Sequence, residues 1–470
     1  MTELDAPTQK KWYMKVPHTF TILFALIVIF AIATHFLPAG EFQRAENAAT
    51  GRMAVVPGTY HAVDSKPVGF LQTFIAVQKG MVDAAAVSFF VFISYASFYT
   101  VLKTGGLHAF IGWLLRVMKG KELLIIPVFM YVFGLGGAIF GMFEETFGFI
   151  PLFVGLAIAM GYDAIVGMCM VVVGVGIGFS AAFMNPFTVG LAQKFSELPL
   201  FSGMQFRIVS WFVFMTISVI WVMLYAVRIK KNPAKSYVYG VDMGALKLDN
   251  EELMASKFHP RDVTIMLLMV LTVVVLVWGV IKKGWYFDEL AGLFIVMGLA
   301  CAAVAGWGPD KMAESYLEGF RDIVFGAMVI GLSRGILIVM REGNIIDTVI
   351  YGLSLPLANF PSWLSAQGML FVQTIISFFI PSGSGMASTT MPIMAPLADL
   401  LGFTRQTAVL AFQYGDGFSN IYFPTTLCPV ICSIAKVPLE KWWKFFTPMF
   451  LALYLVQMIF IGIAVSMGYQ

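Results

Sequence analysis

Long apolar runs separated by short polar stretches recur along the whole chain, at about 17–38, 81–102, 203–228, 262–281, 288–306, 323–340 and 445–467. Each approaches the ~20 residues an α-helix needs to cross a bilayer. Two further apolar stretches are interrupted: residues 122–161 by "GLGGAIFGMFEETFG" and residues 363–401 by "IPSGSGMASTT". Glycine and small polar residues at those points predict helices that turn back, giving two re-entrant hairpins. Each hairpin is followed by a segment carrying a glycine- and proline-containing motif, "GIGFSAAFMNPFT" (176–188) and "YGDGFSNIYFPTT" (414–426). Pro186 and Pro424 remove helix-ladder donors, so both segments are predicted to be broken helices. The pattern is that of an all-α polytopic membrane protein.

Composition agrees, with 59% hydrophobic and 12% charged residues and a mean hydropathy of +0.83. Soluble domains carry ~25% charged residues. The first apolar run follows Lys10, Lys11 and Lys15 and ends at "HFLPAG" without a small-residue cleavage site, which predicts a retained first helix. Lys/Arg density before residue 16, in 103–121, in 228–235 and in 436–444 places these four regions in the cytoplasm. The N-terminus is then cytoplasmic, 39–66 an external loop, 230–261 an internal linker and the C-terminus external. The four cysteines, Cys169, Cys301, Cys428 and Cys432, fall in apolar segments and read as packing residues.

The halves repeat. "KGMVDAAAV" (79–87) matches "EGFRDIVFG" (318–326), setting Gly80 on Gly319 and Asp83 on Asp322 at an offset of 239. "VLKTGG" (101–106) matches "VMREGN" (339–344) at 238, and Ser180 falls on Ser419 at 239. The second half carries one more apolar run (288–306) before the repeated region, so everything after it is reversed across the membrane. An inverted-topology repeat with broken helices is the plan of secondary transporters.

Polar residues at the hairpin tips and breaks are the candidate substrate or ion ligands. They are Glu144, Glu145 and Thr146; Ser180, Asn185 and Thr188; Ser382, Ser384, Ser388 and Thr389; and Asp416, Ser419, Asn420, Thr425 and Thr426. This oxygen-rich set, without His or Cys, suits Na⁺, a proton or a polar metabolite rather than a transition metal. Asp416 at membrane depth is either a site residue or a structural group, paired with mid-span Arg334 or capping a helix. Arg334 reads as scaffold, its first-half counterpart being a small residue. Glu144 and Glu145 are adjacent, so at most one is expected to face the site. Small residues at 382–390 and the Gly174/Gly178 pair also serve close helix packing. Asp83 and Asp322 read as helix caps or interface anchors.

At "GFSAAFMNPFT", "GDGFSNIYFPTT", "GMFEET" and "PSGSGMASTTMPIMAP" the chain resembles the YfcC-type branch of the DcuC-like carriers, within the ion transporter superfamily that also holds the aminobenzoyl-glutamate and divalent-anion/sodium transporters. The resemblance covers nearly the whole chain. It implies an elevator carrier of the bacterial cytoplasmic membrane, a homodimer in which a transport domain moves against a scaffold. It implies no cofactor beyond Na⁺ or H⁺ as coupling ion. The Ser-Asn-Thr tips of the dicarboxylate relatives are absent, and the Ser419–Asn420 pair is the alternative Na⁺ site. The branch is labelled for basic amino acid exchange and the wider family for C4-dicarboxylates. Carboxylates without a basic residue at the tips or breaks favour a basic or zwitterionic amino acid, with dicarboxylate as the alternative.

The expected organisation is scaffold 1–118, transport region 119–200, a scaffold helix 201–229, linker 230–261, scaffold 262–360, transport region 361–436 and a last scaffold helix 437–470. The expected partners are the bilayer and a small-molecule substrate, not nucleic acid. An intramembrane protease is disfavoured because no histidine lies within a span to act as base for a serine and the Gly-x-Gly-Asp order is missing. A passive channel would also use re-entrant loops.

Overall fold

The computed structural model describes residues 17–48, 52–246 and 259–470. Lys10, Lys11 and Lys15, the tip of the 39–66 loop and the end of the 230–261 linker lie outside the described residues. The first apolar run forms α1 (Thr19–Ala33), 15 residues long and shorter than expected. The loop after it carries four short strands, β1 (Gly40–Glu41), β2 (Arg44–Asn47), β3 (Arg52–Val55) and β4 (His61–Ala62), paired antiparallel as β1–β4 and β2–β3. Next come α2 (Phe70–Asp83), α3 (Ala85–Lys103) and α4 (Gly106–Val117).

Hairpin 1 consists of α5 (Ile125–Leu135), a π-helical turn over 136–140, a 3₁₀ turn over 144–149 and α6 (Ile150–Ala159). The first broken helix follows as α7 (Ala164–Met168), a π-helical turn over 169–173, α8 (Gly174–Ser180) and α9 (Val189–Phe195), and then α10 (Met204–Lys231). The second half contains α11 (Pro260–Lys283), α12 (Phe287–Val304), α13 (Pro309–Glu342) and α14 (Ile346–Ser354). Hairpin 2 is α15 (Ser362–Phe379) and α16 (Gly383–Leu400), the second broken helix α17 (Arg405–Ser419) and α18 (Cys428–Ile434), and the last span α19 (Leu439–Ser466). Among the described residues, seven helices are long and apolar enough to cross a membrane. The first leg of hairpin 1, Glu122–Phe140, is among them by composition, and α1 is not.

The repeat extends to element boundaries. Phe70 to Lys103 in the first half and Pro309 to Glu342 in the second begin and end 239 positions apart, as do Glu144 with Gly383, Ser180 with Ser419 and Val189 with Cys428. Left-handed residues repeat too: Gly105 (φ 84°) with Asn344 (φ 52°), and Glu197 (φ 57°) with Lys436 (φ 54°). The offset therefore stays 239 at Gly105, and the 238 alignment there is a slip of one residue. It follows that the counterpart of Arg334 is Tyr95, not a small residue.

Both hairpins return to the side they start from. Lys230 reaches Glu122 at the start of hairpin 1 (3.6 Å) and lies over the Tyr162 ring at its end (4.9 Å). A Cβ on Gly402, just after hairpin 2, would sit 3.0 Å from Oγ of Ser362 at its start. Contacts elsewhere join segments that the charge pattern puts on one side: Gly40 N–H to Asn344 O, Lys79 with Glu342, and Asp163 with Tyr225 and Ser236.

The helices form two packed groups. In one, α13 lies along α1, α2 and α3, with α12 on α3 and α11 against α12 and α4. In the other, α5 packs on α8, α8 on α17, and α17 on α15 and α16. α10 packs on α5 and α8, and α19 on α15 and α17. These two helices thus sit with the hairpins and not with the expected scaffold. The groups meet where α3 touches the 144–149 turn, α13 touches α18, β3 touches α16 and α14 touches α15. Small residues permit the close crossings within the second group: a Cβ on Gly178 would lie 2.0 Å from Gly134 O, and one on Gly417 2.3 Å from Ser180 Cα.

Candidate functional site

Hairpin 1 turns at Gly141, whose φ of 70° suits glycine. A Cβ there would also lie 2.4 Å from Asn185 Oδ1 in the first break. Beyond the turn, Phe143 N–H donates to Glu145 Oε2 (2.8 Å) and the Thr146 hydroxyl to Phe143 O (2.6 Å). Hairpin 2 turns at Pro381 and Ser382, where the Ser382 hydroxyl caps α16 by accepting from Gly385 N–H.

The breaks are held open by side chains. Asn185 Oδ1 accepts from Phe187 and Thr188 N–H groups (2.9 and 3.3 Å). Pro424 cannot donate to Asn420 O, and the Thr426 hydroxyl takes that carbonyl at 3.0 Å. Asn420 Nδ2 and the Ser419 hydroxyl both donate to Asp416 O, while Ser377 Oγ lies 2.5 Å from Ser419 Oγ. Trp442 and Trp443 of α19 donate to Ile421 O and Tyr422 O. The freed backbone is thereby satisfied inside protein, as membrane depth demands.

Both tips and both breaks meet at one cavity of about 120 Å³. Of the predicted residues, Glu144 and Glu145, Thr188, Ser382 and Ser384, and Asn420, Thr425 and Thr426 line it. Both glutamates do so, where one was expected. Thr146, Ser180, Asn185 and Ser419 are buried beside it; the hydroxyls of Thr146 and Ser419 and Oδ1 of Asn185 are spent on the backbone bonds just described and Ser180 on Gly176 O, while Asn185 Nδ2 has no hydrogen-bond partner among the described residues. The Ser419–Asn420 pair, expected as a Na⁺ site, caps the end of α17 through Asp416 O, and Asn420 also lines the cavity. Ser388 and Thr389 point elsewhere: both donate to Gly385 O and line a separate cavity of about 410 Å³ with Arg44, Met53 and Asp347 of the strand-bearing loop and α14.

Asp416 lies just behind the cavity wall. It is fully buried, and neither carboxylate oxygen has a hydrogen-bond partner among the described residues. A Cβ on Gly383, the first residue of α16, would sit 2.9 Å from Asp416 Oδ2 and 2.7 Å from Thr188 Cγ2. The carboxylate therefore abuts the N-terminal end of α16, where unpaired N–H groups favour negative charge. The Thr188 and Thr425 hydroxyls are likewise buried and, among the described residues, unpartnered. Unsatisfied buried oxygens of this kind mark a place for a cation or a polar ligand.

Arg334 does not pair with Asp416. Its Nε faces Asp83 Oδ2 at 3.1 Å, and Arg341 approaches Asp83 Oδ1 at 3.7 Å. Asp83 ends α2 and Asp322 lies inside α13, so both are ion-pairing residues rather than caps. Arg334 also lines the cavity, with Ser333 of α13 and Tyr286 and Phe287 at the start of α12. Sequence reasoning missed these four; an arginine in mid-span was itself a signal.

Two helical hairpins and two broken helices that enclose a small polar cavity define a membrane transporter. The chain belongs to the C4-dicarboxylate anaerobic carrier family, whose model matches residues 16–466. It is 31% identical over 99% of both chains to the Escherichia coli K12 protein named "Putative basic amino acid antiporter YfcC". It is 27% identical, again over 99% of both chains, to an uncharacterised Haemophilus influenzae protein. The Alcanivorax borkumensis YdaH transporter structure aligns with 96% of this chain and 99% of its own at 16% identity, with a TM-score of 0.47. Family membership and the Escherichia coli relative make the chain a transporter and not an enzyme.

Proposed function

We propose that this transporter is a secondary active carrier for a basic or zwitterionic amino acid such as arginine or ornithine. The observation that carries the reading is the pair Glu144 and Glu145 on the cavity wall, with unpartnered Asp416 directly behind it. Carboxylates attract a cationic substrate, a coupling Na⁺ or H⁺, or both. The name of the Escherichia coli relative points to the same substrate class.

The carrier works as an elevator: hairpins, broken helices, α10 and α19 move as one body against α1–α4 and α11–α14. The division into two packed groups supports this. The halves insert with opposite orientation because α11 and α12 precede the second repeat unit where only α1 precedes the first. The N-terminus is cytoplasmic and the C-terminus external, a reading the Lys/Arg distribution supports. The membrane is the bacterial cytoplasmic membrane, and the homodimer follows from the resemblance. A C4-dicarboxylate coupled to Na⁺ is the second reading, favoured by the family description and by Arg334 at the cavity.

The test is thermal stabilisation of purified protein by arginine, ornithine, lysine, neutral amino acids, succinate and fumarate, each with Na⁺ or choline. A ligand at 100 times its Kd adds about 2.7 kcal/mol to apparent stability. Stabilisation by cationic amino acids is the expected result; Na⁺-dependent stabilisation by succinate alone would install the second reading.

A further inference from the structure

We propose that Arg334 recognises the substrate's α-carboxylate, so that the cavity reads both the cationic and the anionic end of a basic amino acid; this rests on the amino-acid reading above.

The pseudo-symmetry of the molecule isolates the point. Asp83 of the first half pairs with Arg334 of the second, and Asp322 of the second accepts from Tyr95 of the first. These are the same contact made twice, since Asp83 and Asp322, and Tyr95 and Arg334, stand 239 positions apart. In the second-half copy Asp322 is held by the neutral Tyr95 hydroxyl on one oxygen, and its one cationic partner is Lys436 on the other. In the first-half copy Arg341 already supplies Asp83 with a cation, and the guanidinium that stands where the tyrosine does, Arg334, is the one that lines the site cavity.

Arg334 has capacity to spare. Among the described residues its ion pairs and hydrogen bonds are with Asp83 alone, through Nε. Asp83 is shared with Arg341, which leaves the cluster net positive. The two terminal nitrogens of Arg334 form the planar fork that matches a carboxylate. A guanidinium at mid-span with only 16% of its side chain exposed is costly, which favours a functional reason for keeping it.

Charge complementarity then selects the ligand. The cavity presents two carboxylates, Glu144 and Glu145, and one guanidinium. A basic amino acid carries two cations and one carboxylate. A diamine or decarboxylated amino acid leaves Arg334 unanswered, and a dicarboxylate leaves the glutamates so. Because Arg334 belongs to the α13 group and the glutamates to hairpin 1, all three contacts require the two groups to stand as they do here.

The experiment compares binding of L-arginine, L-arginine amide and agmatine, which share the guanidinium side chain but differ in the carboxylate. Wild-type protein is expected to prefer arginine over both by about tenfold to a hundredfold, the worth of a charge-assisted hydrogen bond. In Arg334→Gln/Asp83→Asn, which removes both charges together, arginine should fall to the agmatine level while agmatine is unchanged. Equal wild-type affinity for arginine and agmatine would overturn the role of Arg334 while leaving the cationic-substrate reading intact. A preference that survives in the double variant would also overturn it. Binding of succinate with no cationic ligand bound would remove the amino-acid reading itself. The wild-type comparison needs no variant, so a double variant that fails to fold does not block the decision.

Discussion

Lys436 Nζ lies 2.6 Å from Asp322 Oδ1, joining the turn after α18 to the middle of α13, while Tyr95 donates to the other oxygen of the same carboxylate. Lys436 belongs to the hairpin group and Asp322 to the α13 group, so this ion pair crosses the boundary between them. In an elevator it must break.

Both side chains are about one-third exposed, with relative accessibilities of 35%. A pair so placed contributes roughly 0.2–1 kcal/mol. Lys436→Gln and Asp322→Asn are each expected to shift the balance between carrier states by a factor of up to about five. The readout is the labelling rate of a cysteine at Ser384 in the presence and absence of substrate. A charge swap, Lys436→Asp with Asp322→Lys, should restore the wild-type rate. Identical labelling in all variants would mean the pair does not straddle a moving boundary.

Asp416→Asn is expected to abolish transport and yet raise the melting temperature of the ligand-free protein. An unpaired buried carboxylate costs on the order of 1–3 kcal/mol or more, and the amide removes that charge. Stabilisation by Na⁺ or substrate should shrink in the variant. A lower melting temperature without ligand would show that Asp416 has a structural partner after all.

Two glycines separate a contact at the site from a packing contact between the broken helices. Gly417→Ala drives a Cβ into the backbone of Ser180 and should lower stability by about 1–3 kcal/mol or prevent folding. Gly383→Ala meets only the side chains of Asp416 and Thr188, so folded protein should be recovered with transport impaired. The check is size-exclusion yield and melting temperature alongside uptake. Normal uptake in Gly383→Ala would remove the α16 N-terminal end from the site.

The adjacent glutamates should also differ. Glu145 accepts from Phe143 N–H, a bond that the Gln carbonyl oxygen can keep, so Glu145→Gln is expected to retain the hairpin turn. No such bond ties Glu144 to its own turn among the described residues, so Glu144→Gln should alter substrate or cation affinity with stability unchanged. Uptake kinetics over a substrate series measure this, and wild-type KM in both variants would take the glutamates out of the site.

Much of the site was legible because polar atoms at membrane depth are rare. Glu144, Glu145, Ser382, Asn420 and Thr425 stood out against their apolar surroundings and do line the cavity. Ser388 and Thr389 stood out equally but lie a turn further along α16, toward the strand-bearing loop, and helix phase at a tip cannot be read from composition. Arg334 was set aside because a one-residue slip in the repeat hid Tyr95 as its counterpart. Its partner Asp83 lies in the other half of the chain, beyond the reach of any local pattern.

The sequence by itself determined that this chain crosses a membrane, repeats at 239 residues, folds back at two glycine-rich interruptions and breaks two helices at paired motifs. Each follows from a penalty acting locally, since hydrocarbon admits neither unpaired backbone nor free charge except where protein encloses them. Tertiary structure alone decided that α10 and α19 pack with the hairpins, that Asp83 and not Asp416 answers Arg334, and that Asp416 is left unpartnered behind Gly383. A helix's apolar face is complementary to many others. Which one it meets is fixed by the joint packing of all of them.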